Sequence, residues 1–126
     1  MSKVTYFTAR QKVLEVLAAG ANVPFTSVDC SLFVPAGTTA LIAMTELEVA
    51  IPGGSNQYAI SQIRKDIVQG VCSSTQVIDL LGTPTISGDN AIIPLTALRT
   101  FEYDLNGIYG LGIVYNIRVY VIGYLS

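Results

Sequence analysis

Two pairs of carboxylates are the residues of this sequence whose type and spacing come closest to catalytic chemistry. Glu46 with Glu48, and Glu102 with Asp104, are each separated by one residue. On a β-strand both members of such a pair point to the same side, about 6.5–7 Å apart, a separation compatible with the acid/base pair of a glycosidase. The chain has no tryptophan to form a sugar platform, and paired carboxylates also form solvated faces that discourage edge-to-edge aggregation. We therefore assign these pairs no catalytic role.

Other catalytic arrangements lack their essential residue types. The sequence contains no histidine, which removes the usual general base, the commonest zinc ligand and every Ser-His-Asp or Cys-His arrangement. Neither phosphate-binding pattern, GxxxxGK[ST] or GxGxxG, is present. Two cysteines, Cys30 and Cys72, are too few for a zinc site or a disulfide framework. We expect them to be buried free thiols, with a bridge between them left open. The sequence therefore predicts no enzyme, no metal ion and no cofactor.

The segment Asp104-Leu-Asn106-Gly107 is similar to the start of a calcium-binding loop. The later ligand positions that an EF-hand requires do not follow it. A hairpin turn at Asn106-Gly107 accounts for the same residues with fewer assumptions.

Tyrosines are the remaining candidates for recognition, and there are seven. Tyr58, Tyr103 and Tyr109 lie near predicted turns, where an amphipathic ring can contact a protein or a sugar. The same rings can instead close the end of a core or line a subunit contact, and the sequence leaves both interpretations open.

The composition points to a partner surface. Charged residues make up 13% of the chain and hydrophobic residues 51%, whereas a typical soluble domain is about 25% charged. The longest uncharged stretch, residues 30–45, is interrupted by Pro35 and Gly37, and a membrane-spanning helix needs about 20 mostly apolar residues. The net charge of −2 and the scattered basic residues argue against nucleic acid as a partner. The excess apolar surface is therefore expected to contact another subunit or a larger assembly.

The chain length and the spacing of turn signals predict one β domain. The 126 residues suffice for a single domain, residues 1–126, and short apolar runs alternate with turn signals such as Pro52-Gly-Gly, Ser87-Gly-Asp-Asn90 and Asn106-Gly107. We predict an all-β, antiparallel, jelly-roll-like β-sandwich of about eight strands. Residues 8–20 fit either a capped helix or a strand, and their β-branched residues favour the strand.

Two stretches are apolar on both sides. In residues 38–51 and 111–125 one set of alternating positions suits a core, and the other set is also largely apolar. A single sandwich covers one side of a strand, so a neighbouring subunit is the natural cover for the other. The candidate interface residues on the last strand are Val114, Tyr120, Ile122 and Tyr124.

One segment carries a family resemblance. Residues 26–42, with Val28-Asp-Cys-Ser followed by Val34-Pro-Ala-Gly-Thr-Thr-Ala, resemble the entry to a long strand in bacteriophage fibre and capsid-decoration domains. The closing Val119-Tyr-Val-Ile-Gly-Tyr-Leu125 is similar to the strand that ends many such domains, and Arg64-Lys65-Asp66 occupies the place of a mid-domain strand. Cys30 departs from the pattern, which more often has leucine there.

The resemblance implies a virion structural protein: a capsid-decoration, minor capsid or fibre component, usually a homotrimer. Its expected partners are its own copies, other capsid or tail proteins and, for a fibre, a host surface glycan. Its expected location is the virion, assembled in the host cytoplasm, since the first twelve residues carry no secretory signal. The alternative function is a carbohydrate-binding module or lectin of jelly-roll type. The choice between shell decoration and fibre, the receptor and the oligomer symmetry stay open.

Overall fold

The computed structural model describes residues 3–19, 22–51, 57–79, 85–108 and 114–126. These residues form eight β-strands: β1 (Val4–Ala19), β2 (Val23–Asp29), β3 (Ala40–Ile51), β4 (Gln57–Arg64), β5 (Ser73–Asp79), β6 (Ile86–Pro94), β7 (Thr100–Ile108) and β8 (Val114–Leu125). The prediction of an all-β chain of about eight strands is confirmed, and so is the strand interpretation over residues 8–19. Within the described residues, no helix has the length and apolar character that crossing a membrane requires.

The strands form two antiparallel sheets with jelly-roll connectivity. The first sheet has the order β1-β8-β3-β6 and the second the order β2-β7-β4-β5. Pairing is nested along the chain: β1 with β8, β2 with β7, β3 with β6, and β4 with β5. These four pairs alternate between the two sheets, so the chain is a long antiparallel hairpin rolled into a sandwich. This is the topology of a jelly roll.

The core lies between the sheets and follows the two-residue period of the strands. On β3 every second residue from Leu41 to Val49 is buried, and on β8 the same holds from Tyr115 to Val121. Leu47 and Ile117 are neighbours across the β3–β8 pairing and are fully buried. Burying a side chain of this size stabilises a fold by about 1.5–3 kcal/mol. The predicted alternation of core positions is therefore confirmed over residues 41–49 and 115–121.

Two predicted turns are instead strand. Ser87–Asn90 lies within β6, and Asn106-Gly107 lies within β7. Gly107 has a different role from the one its sequence context indicates, because a Cβ at this position would overlap the carbonyl oxygen of Tyr58 on β4. The glycine permits close backbone approach inside the sheet rather than a turn.

The corner between β2 and β3 is formed by Pro35, Gly37 and Thr38. Gly37 has a φ of +89°, which glycine adopts without steric cost, and the Thr38 N–H donates to the Pro35 carbonyl at 3.2 Å. Arg99, in the β6–β7 loop, donates from Nη1 to the carbonyl of Val34 at 2.8 Å. This bond ties the β2–β3 and β6–β7 loops together at one end of the sandwich.

The two cysteines are free and differ in environment. Cys30 is buried, as predicted, whereas Cys72 is exposed in the β4–β5 loop, so the prediction of burial is wrong for Cys72. Burial raises the pKa of the Cys30 thiol to about 12. The Cys72 thiol donates to the Ile63 carbonyl at 3.4 Å.

This contrast predicts selective thiol labelling. A maleimide or disulfide reagent at pH 8 should modify Cys72 and leave Cys30 unmodified until the protein unfolds, because the thiolate is the reactive form and access is required. Intact-mass measurement should show one adduct per native chain and two per denatured chain. Native labelling of Cys30 in a Cys72→Ser variant would contradict this description of the core.

Candidate functional site

The outer face of the first sheet has five rows of side chains that run across its four strands, with register shifts on β1 between Tyr6 and Gln11 and between Lys12 and Leu14. Cross-strand partners share a face, and the strand register therefore assigns the side chains row by row. In the order β1, β8, β3, β6 the rows are Leu17, Asn116, Glu48 and Ile86; Glu15, Arg118, Glu46 and Gly88; Lys12, Tyr120, Met44 and Asn90; Tyr6, Gly123, Ile42 and Ile92; and Val4, Leu125, Ala40 and Pro94.

The first two rows contain an acidic cluster, defined here as Glu15, Glu46 and Glu48 around Arg118. Arg118 Nε donates to Glu46 at 2.8 Å and Nη1 to Glu48 at 3.1 Å, and the Glu15 carboxylate lies 4.0 Å from Nη1. The Arg118 side chain is only 15% exposed. With three carboxylates against one guanidinium, the cluster carries a net charge of −2.

Hydrogen bonds shift the pKa values of two groups in this cluster, Glu15 and Arg118. Lys12 Nζ and Asn116 Nδ2 each donate a hydrogen bond to the Glu15 carboxylate. These bonds, the Lys12 bond more than the Asn116 bond, hold the pKa of Glu15 below its usual value. Partial burial would lower the pKa of Arg118, but bonds and charges from Glu46 and Glu48 outweigh that effect and raise it. Both shifts favour the charged forms of Glu15 and Arg118 at neutral pH.

The third and fourth rows contribute most of an apolar band, defined here as Tyr6, Ile42, Met44, Ile92, Tyr120 and Ile122, where Ile122 lies at the register shift of β8 between these two rows. Ile42, Ile92 and Ile122 line a shallow hollow of about 180 Å³. The Arg10 guanidinium lies 4.1 Å from the centre of the Tyr120 ring, a cation–π contact. Tyr6 is 68% exposed and covers Gly123, where a Cβ would lie 3.0 Å from the tyrosine ring.

Three of the four predicted interface residues of β8 lie away from the core. Tyr120 and Ile122 belong to the apolar band, and Val114 is half-buried where β8 begins. Tyr124, the fourth predicted residue, does not lie on this outer face. The β3–β8 register shifts between Val121 and Gly123, so Tyr124 is opposite buried Leu41 and packs against the core, its ring 5.8 Å from Phe7.

A second apolar surface lies at one end of the sandwich. The β2–β3, β4–β5 and β6–β7 loops meet there, since Arg99 joins the first and third loops and β4 pairs with β7 directly before the second. Five aliphatic side chains on these loops are between 44% and 94% exposed: Leu32, Ile67, Val68, Val71 and Leu98. We call this surface the apolar end. This surface was not predicted from the sequence, because short apolar runs between turn residues also occur in the interior of strands.

Of the three tyrosines predicted near turns, Tyr58 and Tyr103 lie in different environments. Tyr58 is 43% exposed on the second sheet, beside Ile60, Asn106 and Gly107 around a hollow of about 110 Å³. Tyr103 is 5% exposed. Of the roles that the sequence left open for it, recognition or packing, the structure places Tyr103 in the core. Tyr109 lies outside the described residues.

The carboxylate pairs are engaged in structural contacts. Glu46 and Glu48 both bind Arg118, as above. Glu102 accepts from Arg64 Nε at 2.7 Å, while Asp104 is buried and its Oδ1 accepts from the Gln62 N–H at 3.0 Å. In the part of the chain that the structure describes, no three acidic or cysteine side chains come together in a way that would hold a metal ion.

Asp104 gives a pH prediction. Burial raises the pKa of Asp104, so the folded state disfavours its charged form and the cost applies above the folded pKa. Asp104→Asn should therefore increase the free energy of unfolding at pH 7, since an amide Oδ1 still accepts the Gln62 N–H. The increase should shrink as the pH falls through the folded pKa and vanish below about pH 3. Urea denaturation of both proteins at pH 7, 5 and 3 measures it; a constant difference would contradict this account.

Comparison with known proteins adds no assignment, since no protein-family model matches this chain and no curated protein matches it. The functional argument therefore depends on the two apolar surfaces and the acidic cluster.

Proposed function

We propose that this protein is a structural component of a virus particle, a capsid-decoration, minor capsid or fibre protein that works as a homo-oligomer on the particle surface. The single observation that carries the proposal is that the fold leaves large apolar side chains on two separate surfaces. One surface is the apolar band of the first sheet and the other is the apolar end. Neither is needed to complete the core.

The apolar end supports attachment to another protein. Leu32, Val68 and Leu98 are 94%, 87% and 78% exposed, and leaving several such side chains in water is unfavourable. The acidic groups near them are already engaged, since Asp29 accepts from the Ser31 N–H and Asp66 from the N–H groups of Val68 and Gln69. The loops therefore present aliphatic side chains on ordered backbone, which suits contact with an apolar depression on a capsid or tail protein.

The apolar band supports self-association, and the two contacts together give a mechanism. A shell or fibre displays many copies, so weak individual contacts sum to firm attachment through effective concentration. In this proposal the protein contributes packing and multivalency, and its side chains carry out no bond-making chemistry.

Two measurements test the proposal. Sedimentation velocity of the purified protein at low micromolar concentration should show an oligomer. Mass spectrometry of density-banded particles, from a culture whose genome carries this gene, should find the protein in stoichiometric amounts with the shell or tail proteins. A monomer at millimolar concentration, or particles that lack the protein, would overturn it.

The second candidate function is carbohydrate binding, which the exposed Tyr58 ring favours. The ring lies beside a hollow that Asn106 also lines, and an aromatic ring with a neighbouring amide suits the apolar and hydroxyl faces of a sugar. On a glycan array the protein should then bind a defined set of glycans, and Tyr58→Ala should abolish binding without lowering the melting temperature. Unchanged binding in the variant, or no binding by the parent, removes this candidate.

A further inference from the structure

We infer that Asn106 is a latent site of self-modification, at which the side-chain amide converts to aspartate or isoaspartate when the end of β7 opens, and that Asn22 prevents this conversion in the native fold. This inference does not depend on the proposed function, since it concerns the chain's own chemistry. Asn106-Gly107 is the single Asn-Gly pair in the sequence. The pair predicts a turn, whereas the structure places it within β7.

An asparagine followed by glycine reacts with its own backbone. The Gly107 nitrogen gives up its proton and attacks Cγ of Asn106, so that a C–N bond forms and the side-chain nitrogen leaves as ammonia. Water then adds to one of the two carbonyl carbons of the resulting succinimide and opens the ring, which gives aspartate or isoaspartate. Glycine favours the first step because no Cβ hinders the approach of its nitrogen. Water is the one co-reactant that the sequence of steps requires.

The fold requires the glycine of this reactive pair. A Cβ at position 107 would overlap the carbonyl oxygen of Tyr58 and would lie 2.8 Å from the Ala59 Cα on β4. Glycine at this position therefore permits the close approach of β7 to β4. Because the glycine cannot be exchanged, the asparagine that precedes it is protected by the conformation and the hydrogen bonds around it.

Pairing with β4 fixes the conformation of Asn106. In the β4–β7 pairing Asn106 is opposite Ile60 and Gly107 is opposite Ala59, so the backbone of the pair is extended. In a strand the side chains stand roughly perpendicular to the sheet, whereas the N–H groups lie in its plane. The Gly107 nitrogen is therefore directed away from the Asn106 amide carbon. The reaction requires the end of β7 to leave the sheet.

Asn22 protects the other side of β7. The β2–β7 pairing ends at Val23 and Leu105, and the Gly107 N–H donates instead to Asn22 Oδ1 at 3.2 Å. The side-chain oxygen thus takes the place of a strand carbonyl beyond the end of β2. Deprotonation of the Gly107 nitrogen would break this hydrogen bond. The bond therefore makes the nitrogen less reactive and also keeps the end of β7 in the sheet.

The products of the reaction do not fit the strand. Isoaspartate adds one atom to the main chain, which disturbs the pairing register beyond it. Aspartate places a carboxylate two residues from Asp104 on the same side of β7, where Asp104 is already buried. It also replaces the amide beside Tyr58 by a carboxylate. Because the ammonia is lost and either product weakens the pairing that protected Asn106, the conversion is irreversible.

Peptide mapping measures the conversion directly. The full chain is incubated at pH 8 in buffer and in guanidinium chloride, and the tryptic peptide 100–118 is analysed for the mass gain of amide-to-acid conversion and for isoaspartate. The unfolded chain should convert Asn106. The native chain should do so at least about tenfold more slowly, because the reaction then requires local opening. Equal rates in the two conditions, or an unfolded chain that keeps its amide, would overturn the inference.

Variants at the start of β2 test the role of Asn22. Asn22→Ala removes the acceptor and should raise the native rate about 3- to 10-fold, the effect of losing one hydrogen bond. Asn22→Asp keeps an oxygen acceptor and should convert as slowly as the parent. Thr26→Val is the matched control, because it removes the hydroxyl bond to the Pro24 carbonyl and leaves the Gly107 bond in place. Melting temperatures verify that each variant is folded. A parent-like rate in Asn22→Ala, or an equal increase in Thr26→Val, contradicts protection by Asn22.

Discussion

Replacing Arg118 by methionine is expected to lower the free energy of unfolding by about 2–3 kcal/mol at pH 7. Removing one partner of a fully buried ion pair costs about 3–5 kcal/mol, and exposed pairs contribute about 0–1 kcal/mol. The ion pair of Arg118 and Glu46 is neither fully buried nor exposed, since its side chains are 15% and 23% exposed, and its contribution is expected between these limits. Methionine keeps much of the apolar contact of the arginine stem. Most of the expected loss is therefore electrostatic: Glu46 and Glu48 are left without their cation, while Glu15 keeps its ion pair with Lys12.

The pH dependence of Arg118→Met identifies the cause of the loss. Carboxylates bind protons in acid, so the difference in unfolding free energy between the variant and the parent should shrink as the pH falls from 7 to about 3. In the parent, the lowered pKa of Glu15 gives a stabilisation that is present above its unfolded pKa and is lost as the pH falls through the folded one. Urea denaturation at several pH values measures both effects.

A variant with matched neutral carboxylates serves as the control. Glu46→Gln and Glu48→Gln combined with Arg118→Met removes the uncompensated charge and should recover most of the stability at pH 7. If Arg118→Met lowers the free energy of unfolding by the same amount at pH 7 and at pH 3, the sheet is stabilised by the packing of the arginine stem and not by its charge.

The fold was predictable because the evidence for it is local. The two-residue period of residues 40–51 and 114–125 identifies the core face directly, and β-branched residues favour strand over helix in β1. Where glycine was interpreted as a turn residue, at Gly88 and Gly107, the prediction was wrong. In these places a neighbouring strand comes so close that a Cβ would contact its backbone, and a single sequence does not show which strand is the neighbour.

The candidate site was predictable in part. That β3 and β8 carry apolar residues on their outer sides follows from alternation, and so does the candidacy of Tyr120 and Ile122. The acidic cluster does not follow, because Glu15, Glu46 and Arg118 meet only through the register of three strands far apart in the chain, and register is set by the assembled sheet. The inward position of Tyr124 also depends on the register, through a shift that no local pattern marks.

Replacing Ile92 by lysine is expected to weaken self-association at least about 100-fold, which corresponds to about 2.7 kcal/mol. Ile92 lies on the edge strand β6 within the apolar band and is 53% exposed in the single chain. The fold itself should therefore tolerate the change, with unfolding shifted by no more than about 0.5 kcal/mol. In an oligomer that buries the apolar band, this substitution places an uncompensated ammonium group in the contact. Sedimentation equilibrium measures the association, and circular dichroism melting verifies the fold.

The control for Ile92→Lys is the same substitution at the other apolar surface. Leu98→Lys at the apolar end should leave self-association unchanged and should abolish attachment to particles stripped of the native protein. The Ile92→Lys variant should still attach to particles through the apolar end. Fewer sites on the particle should be occupied, because single chains lack the avidity of the oligomer. The two variants thus separate the two surfaces by function. If Leu98→Lys dissociates the oligomer while Ile92→Lys leaves it intact, the apolar end is the contact between copies and the outer face of the first sheet is not.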